Sequence, residues 1–250
     1  MIRNELEYFF GALRFFTRLP VPAWVGHSSE ALDRAARYFP AVGLLVGAIA
    51  ALVFMFCAQF WPASLAVLAA MASSIYLTGA FHEDGWSDMV DGFGGGWEKA
   101  QILTIMKDSR IGSFGAVALV MLLLTRFSAL IALPPPLIPV ALVAGHTLSR
   151  FASTTLLRSL DYVRGEGKAK PLATRISWDE LGFAASTALL PLLFLPPAQA
   201  ALGVLLAALA TFWLARLFRR QIGGYTGDCL GAVQQLSEVA FYLGLLCNFS

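Results

Sequence analysis

Asp84, Asp88 and Asp91 stand at i, i+4 and i+7 in the run His82-Glu83-Asp84-Gly85-Trp86-Ser87-Asp88-Met89-Val90-Asp91-Gly92. On a helix of about 3.6 residues per turn they fall on one narrow stripe. Three like charges on one face repel, and a helix built only for stability would avoid them. A divalent cation removes the conflict, and Mg²⁺ takes carboxylate oxygens while sharing the phosphates of a substrate. The alternative is a solvated acidic loop. Further on, Lys107-Asp108-Ser109-Arg110 forms a basic–acidic–basic cluster that suits an anionic, metal-bridged substrate. Its alternative is an interfacial charge belt whose long side chains snorkel. A third candidate is Gly223-Gly224-Tyr225-Thr226-Gly227-Asp228. Glycines permit close backbone approach, and the helix start that follows favours phosphate. Gly224, Thr226 and Gly227 are the candidate substrate contacts in this turn, and Asp228 is a fourth candidate metal ligand.

These residues need a scaffold, and the composition decides which kind. The chain has 250 residues, 58% hydrophobic and 14% charged, against about 25% charged in a soluble domain. Mean hydropathy is +0.68. A soluble enzyme, a coiled coil, a disordered chain and a disulfide scaffold are excluded; the expectation is an integral membrane protein. No Asp, Glu, Lys or Arg occurs from Tyr38 to Phe81 or from Leu181 to Ala215, and only Arg126 and Arg150 occur between Ile111 and Leu157. A hydrocarbon core of ~30 Å needs about 20 apolar residues per helix, so each tract holds crossings. Trp61-Pro62, Pro134-Pro135-Pro136 and Leu195-Pro196-Pro197 divide them, because proline cannot continue a helix. Lipid cannot satisfy open backbone edges, so the predicted fold is all-α. It is a polytopic helical bundle forming one catalytic domain over 1–250, with helices near 40–60, 63–81, 113–133, 138–157, 180–195, 198–216 and 229–247. The fifth is short and the seventh the least apolar, which leaves six or seven transmembrane helices.

Nearly every charge lies in the segments 1–37, 82–111, 158–179 and 216–228, including Arg158, Arg164, Lys168, Lys170, Arg175, Arg216, Arg219 and Arg220. With seven spans these segments fall on one side and the proline turns on the other. The positive-inside rule makes the charged side cytoplasmic. Leu6 to Leu19 reads as an interfacial amphipathic helix stopped by Pro20. No signal peptide is evident. Cys57, Cys229 and Cys247 form no CxxC pair and read as buried small residues. Within the spans, Arg126, His146, Arg150 and Glu238 are costly in lipid and therefore candidates for function. Arg126 and Arg150 are candidate substrate contacts. The alternatives are snorkelling of Arg126 and pairing inside the bundle, for instance Arg150 with Glu238.

Four ordered motifs together resemble a known family. They are Phe16-Thr17-Arg18-Leu19-Pro20-Val21-Pro22, the Phe81–Gly92 run, Met106-Lys107-Asp108-Ser109-Arg110-Ile111-Gly112, and Gly223–Asp228 with Leu230-Gly231-Ala232. The family is that of the cobalamin synthases, adenosylcobinamide-GDP ribazoletransferases of bacteria and archaea, and the resemblance covers essentially the whole chain. It implies a multi-pass enzyme of the bacterial inner membrane with a cytoplasmic active site. The partners implied are adenosylcobinamide-GDP and α-ribazole or its 5′-phosphate in a lipid bilayer, with Mg²⁺ as cofactor and GMP released. It carries over to Asp84, Asp88, Asp91, Lys107, Asp108, Arg110 and Asp228, and Arg126 falls where members tend to be basic. Glu83 departs from the family pattern and is not counted as a ligand, and Trp86 replaces a usual leucine. In this reading Asp84, Asp88 and Asp91 hold one or two Mg²⁺ ions and Lys107 and Arg110 stabilise charge on departing GMP. Asp108 or His82 takes the hydroxyl proton.

Two other classes are disfavoured. A CDP-alcohol phosphotransferase needs Ala-Arg at a fixed offset after Asp84-Gly85, which this chain lacks. A transporter predicts polar residues along several spans and repeat symmetry, whereas polarity here collects on one face. No nucleic-acid partner is expected, and a homo-oligomer is left open.

Overall fold

The computed structural model describes residues 2–26, 33–164 and 175–247. Lys168 and Lys170 lie outside the described residues. The described chain is helical: α1 (Ile2–Phe16), α2 (Phe39–Cys57, helical from Asp33), α3 (Ala63–Thr78), α4 (Phe81–Gly95), α5 (Lys99–Ile105), α6 (Ser113–Ala132), α7 (Ile138–Ser159), α8 (Trp178–Leu189), α9 (Pro197–Gln221) and α10 (Gly227–Leu245). Each of the seven helices expected from the apolar tracts is present. Proline occupies the first helical turn of α7 and α9, where its missing N–H costs nothing. Ser177 and Glu180 close a reciprocal capping box at the start of α8.

Three helices are long and apolar enough to cross a bilayer: the stretch Asp33–Cys57, α6 and α9. A fourth crossing results if α3 and α4, bent by 85° at their junction, count as one. α6 and α9 bury little of their length and expose Phe114, Val117, Val120, Leu205, Leu209 and Phe212, the outward apolar belt that lipid covers. α7 and α10 are long but turn polar side chains inward, and α8 has only 12 residues.

The junction of α3 and α4 positions the acidic stripe. Gly79 (φ +66°) and Ala80 (φ +57°) are both left-handed, which ends α3 and redirects the chain. A Cβ on Gly79 would lie 2.8 Å from Arg18 Nε. Arg18 belongs to the segment after α1; its backbone N–H donates to Leu77 O (2.8 Å) and its guanidinium sits over Tyr76. The run from 82 onward is therefore a helix, as its aspartate stripe requires, rather than the alternative solvated loop, and its first turn enters the bundle with His82 and Glu83 buried. That helix ends at Gly94-Gly95-Gly96, and a short second helix follows. α1 begins earlier than predicted and stops at Phe16. Of the cysteines, Cys57 and Cys229 are buried as expected, but Cys247, two residues past the end of α10, is exposed.

Two apolar cores stack along the bundle. One joins α1, the start of α2, α4, α5, the ends of α7 and α9, and the start of α10. The other joins the end of α2, α3, the end of α6, the start of α7 and the end of α10. Gly43 and Gly47 let α2 lie directly on the α7 backbone at His146 and Val143, the close approach that small residues permit in membranes.

The charged segments meet at one end. Arg37 pairs with Glu5 (3.0 Å) and Glu180 (3.8 Å). Arg164 donates to Met106 O (3.2 Å) and Asp228 Oδ2 (2.6 Å), and Arg219 to Ser159 O (3.1 Å). These contacts tie the described parts of 1–37, 82–111, 158–179 and 216–228 to a single face.

Candidate active site

α4 and α10 cross at Gly85 and Gly231. A Cβ on Gly85 would stand 3.1 Å from Asp228 Cα and 3.4 Å from Gly231 Cα, so only this pair of residues allows the backbones so close. The crossing brings Asp228, at the first turn of α10, beside the acidic stripe of α4. Asp84 is exposed, Asp88 half-buried and Asp228 one-fifth exposed. Asp84, Asp228 and Asp91 each act electrostatically on Asp88. The like charges therefore share one small region, where Arg164 is the positive charge acting on them among the described residues. Arg164 was counted among the basic residues but not as a site residue. Its link to Asp228 spans 64 positions, and no local spacing reveals it.

Asp91 has a different task. It is buried, and its two oxygens accept the backbone N–H groups of Gly112 (2.7 Å) and Gly115 (2.8 Å). It caps the N-terminus of α6 from another helix, where orphan donors and the helix dipole both favour a carboxylate. Among the described residues no three His, Cys, Asp or Glu side chains form a ready cation cage. The expected four-carboxylate unit is thus divided into Asp91, which is committed to a helix cap, and Asp84, Asp88 and Asp228, which are exposed or partly exposed, Asp228 being paired with Arg164. Those three fit Mg²⁺ by donor chemistry, since Mg²⁺ is commonly held by one or two carboxylates together with waters and substrate phosphates.

The basic cluster lies beside this region on the α5–α6 connection. Lys107 is exposed. Asp108 accepts from Arg110 backbone N (3.0 Å), Nε (3.0 Å) and Nη2 (2.6 Å). These hydrogen bonds from Arg110 hold the Asp108 carboxyl down at about 2, which makes it a poor proton acceptor. His82, the other candidate, is buried, its ring stacked on Phe16 at 5.4 Å and its Nε2 without a partner.

In the Gly223–Asp228 turn the residues divide in the same way. Gly224 lies against Asp161 O with no room for a Cβ. This contact accompanies a short pairing in which Tyr225 N–H donates to Asp161 O (2.9 Å) and Val163 N–H to Tyr225 O (3.0 Å). Thr226 is fully buried and caps α10 by accepting from Cys229 N–H (3.3 Å). Gly227 alone has open space where a Cβ would be.

Arg126 and Arg150 lie in a polar layer between the two cores. Arg126 Nη2 pairs with Glu238 Oε1 at 2.7 Å and approaches His146 Nε2 at 3.2 Å, and its Nη1 is 3.9 Å from Glu83. Tyr242 donates to Glu238 (3.0 Å) and Gln235 to Glu83 (2.9 Å). Arg150 donates to His146 O (3.0 Å), with Nε and Nη2 unpartnered. Glu238 is thus paired with Arg126 rather than Arg150, and snorkelling of Arg126 is excluded by its burial.

The cobalamin-5-phosphate synthase family model matches residues 8–246. An adenosylcobinamide-GDP ribazoletransferase of Ralstonia pickettii is 48% identical over 252 residues, covering 100% of this chain and 98% of that protein. One of Shewanella frigidimarina is 48% identical over 253 residues, covering 97% and 95%, and one of Shewanella woodyi is 47% identical over 252, covering 98% of each. No solved structure matches. With nearly the whole chain matched, this membrane helical bundle belongs to the cobalamin-5-phosphate synthase family.

Proposed function

We propose that the protein is a Mg²⁺-dependent adenosylcobinamide-GDP ribazoletransferase working at the charged face of a multi-pass inner-membrane bundle, and that this face is cytoplasmic. The observation that carries the reading is the α4–α10 crossing, which sets Asp84, Asp88 and Asp228 together at the end where the basic segments converge. The family's relatives carry this activity in their names.

In the reaction the ribose 3′-oxygen of α-ribazole, or of its 5′-phosphate, bonds to the phosphorus attached to cobinamide. The diphosphate P–O bond breaks, GMP leaves with the electron pair, and the hydroxyl proton is released. Such a transfer needs alignment and charge neutralisation rather than a covalent intermediate. Asp84, Asp88 and Asp228 would hold Mg²⁺, which supplies charge neutralisation at the diphosphate when bound. Arg164, already hydrogen-bonded to Asp228, orients that carboxylate. Lys107, exposed beside it, would meet the leaving phosphate, and Arg110 would do so by exchanging its ion pair with Asp108 (2.6 Å) for the new anion. Gly227 leaves its backbone open to a phosphate oxygen at the start of α10. Purified protein given adenosylcobinamide-GDP tests the reading: GMP should appear only with α-ribazole or its 5′-phosphate, and only with Mg²⁺.

A further inference from the structure

A second candidate binding site lies on the side of the bundle, where α7, α8 and α9 enclose a groove of about 630 Å³. That is within the roughly 300–1,000 Å³ usual for ligand sites. α9 packs mainly on α10 and only lightly on α7. The small residues Ala152, Ala207, Ala208 and Ala215 therefore line a gap instead of the tight contact that such residues usually make in membranes. The groove runs along α9 from Val204 to Arg220, about 24 Å at the helical rise. That exceeds the half-thickness of a hydrocarbon core of about 30 Å.

Its chemistry is polarised. The walls are mainly apolar, and among the described residues the charged lining consists of Arg158, Arg216, Arg219 and Arg220, all at the end where the charged segments meet. Arg158 stacks over Trp178 (4.7 Å) and Arg219 bonds Ser159 O. Arg216 and Arg220 make no ion pair among the described residues and are exposed. Trp178, 68% exposed at the mouth, is the residue type that marks headgroup level. Arg158 in the last turn of α7 and Arg219 and Arg220 in the last turn of α9 also complement the dipoles of their helices, but this accounts neither for Arg216, a turn earlier, nor for the cleft beneath them.

We propose that this groove binds an anionic phospholipid of the adjacent leaflet, with an acyl chain along α9 and the headgroup phosphate at Arg216 and Arg220. Basic pockets between membrane helices suit such headgroups. The proposal rests on the membrane reading of the fold and is independent of the transferase site.

The test uses the full-length protein in mild detergent, offered equal amounts of phosphatidylglycerol and phosphatidylcholine, with bound lipid counted by native mass spectrometry. Phosphatidylglycerol should be retained in preference. Arg216→Gln with Arg220→Gln should lower that retention about fivefold per arginine, equivalent to roughly 1 kcal/mol for each basic side chain at a lipid surface. Ala208→Phe, which fills the groove, should lower it as well, and Arg34→Gln on the same charged face should not. Both arginines are exposed, so that double variant remains informative even if the groove-filling variant fails to fold. Equal retention of the two lipids, or a preference that survives the arginine changes, would overturn the proposal. A preference that survives Ala208→Phe in folded protein would do so too, because it would indicate only an anion at the surface.

Discussion

Gly224 and Gly227 sit three residues apart in one turn and answer to different demands. Gly224 is glycine because Asp161 O occupies the place of a side chain, whereas nothing in the protein occupies that place at Gly227. Gly224→Ala should therefore cost stability, about 1–3 kcal/mol as an overpacked position. Gly227→Ala should leave thermal unfolding in detergent unchanged and reduce turnover on the order of a hundredfold, the penalty of a displaced phosphate. Measuring melting and specific activity on the same preparations separates the two, and unchanged activity in folded Gly227→Ala would remove this turn from the site. The glycines alone suggest a phosphate turn, but which of them is packed against the protein and which stands open is not visible in the sequence. That difference depends on where residues 161–163 run. Asp91 was obscured in the same way: it shares a stripe with Asp84 and Asp88, and only the placement of α6 over the end of α4 turns it into a cap.

The helices themselves were largely written in the chain. Charge-free tracts and proline pairs mark where α2, α3, α6, α7 and α9 begin and end, because backbone bonding in lipid leaves little choice. The end of α3 was expected near residue 81, but the 85° bend into α4 was not visible, since a left-handed Ala80 violates its own preference and is held by tertiary contacts to the Arg18 segment. The convergence of all four charged segments at one end makes a topological prediction. Single cysteines at Pro134 and Pro196, in a Cys-free background, should be labelled from outside intact cells, and one at Arg175 should be spared. Labelling of all three from the same side would refute this arrangement.

At the scale of the whole molecule, a layer of Arg126, His146, Arg150, Glu83 and Glu238 separates two apolar cores. The cost of such residues in lipid was evident from sequence; their partners were not, because Arg126 and Glu238 are brought together only by the packing of α6 on α10. The Arg126–Glu238 pair lies wholly within this layer, which predicts a contribution to stability. Glu238→Gln leaves the Arg126 guanidinium without its nearest carboxylate and should lower stability by about 3–5 kcal/mol, read as a fall in the detergent melting temperature. A melting point equal to that of the unchanged protein would contradict that role. The central claim is that the α4–α10 crossing assembles the transferase site. It is tested most directly by ribazole-dependent GMP release from adenosylcobinamide-GDP at saturating Mg²⁺, comparing the unchanged protein with folded Asp84→Asn and Asp88→Asn. The account predicts release by the unchanged protein and a loss on the order of a thousandfold in each variant, as for removal of an electrostatic stabiliser. Release at the unchanged rate by both variants would contradict it.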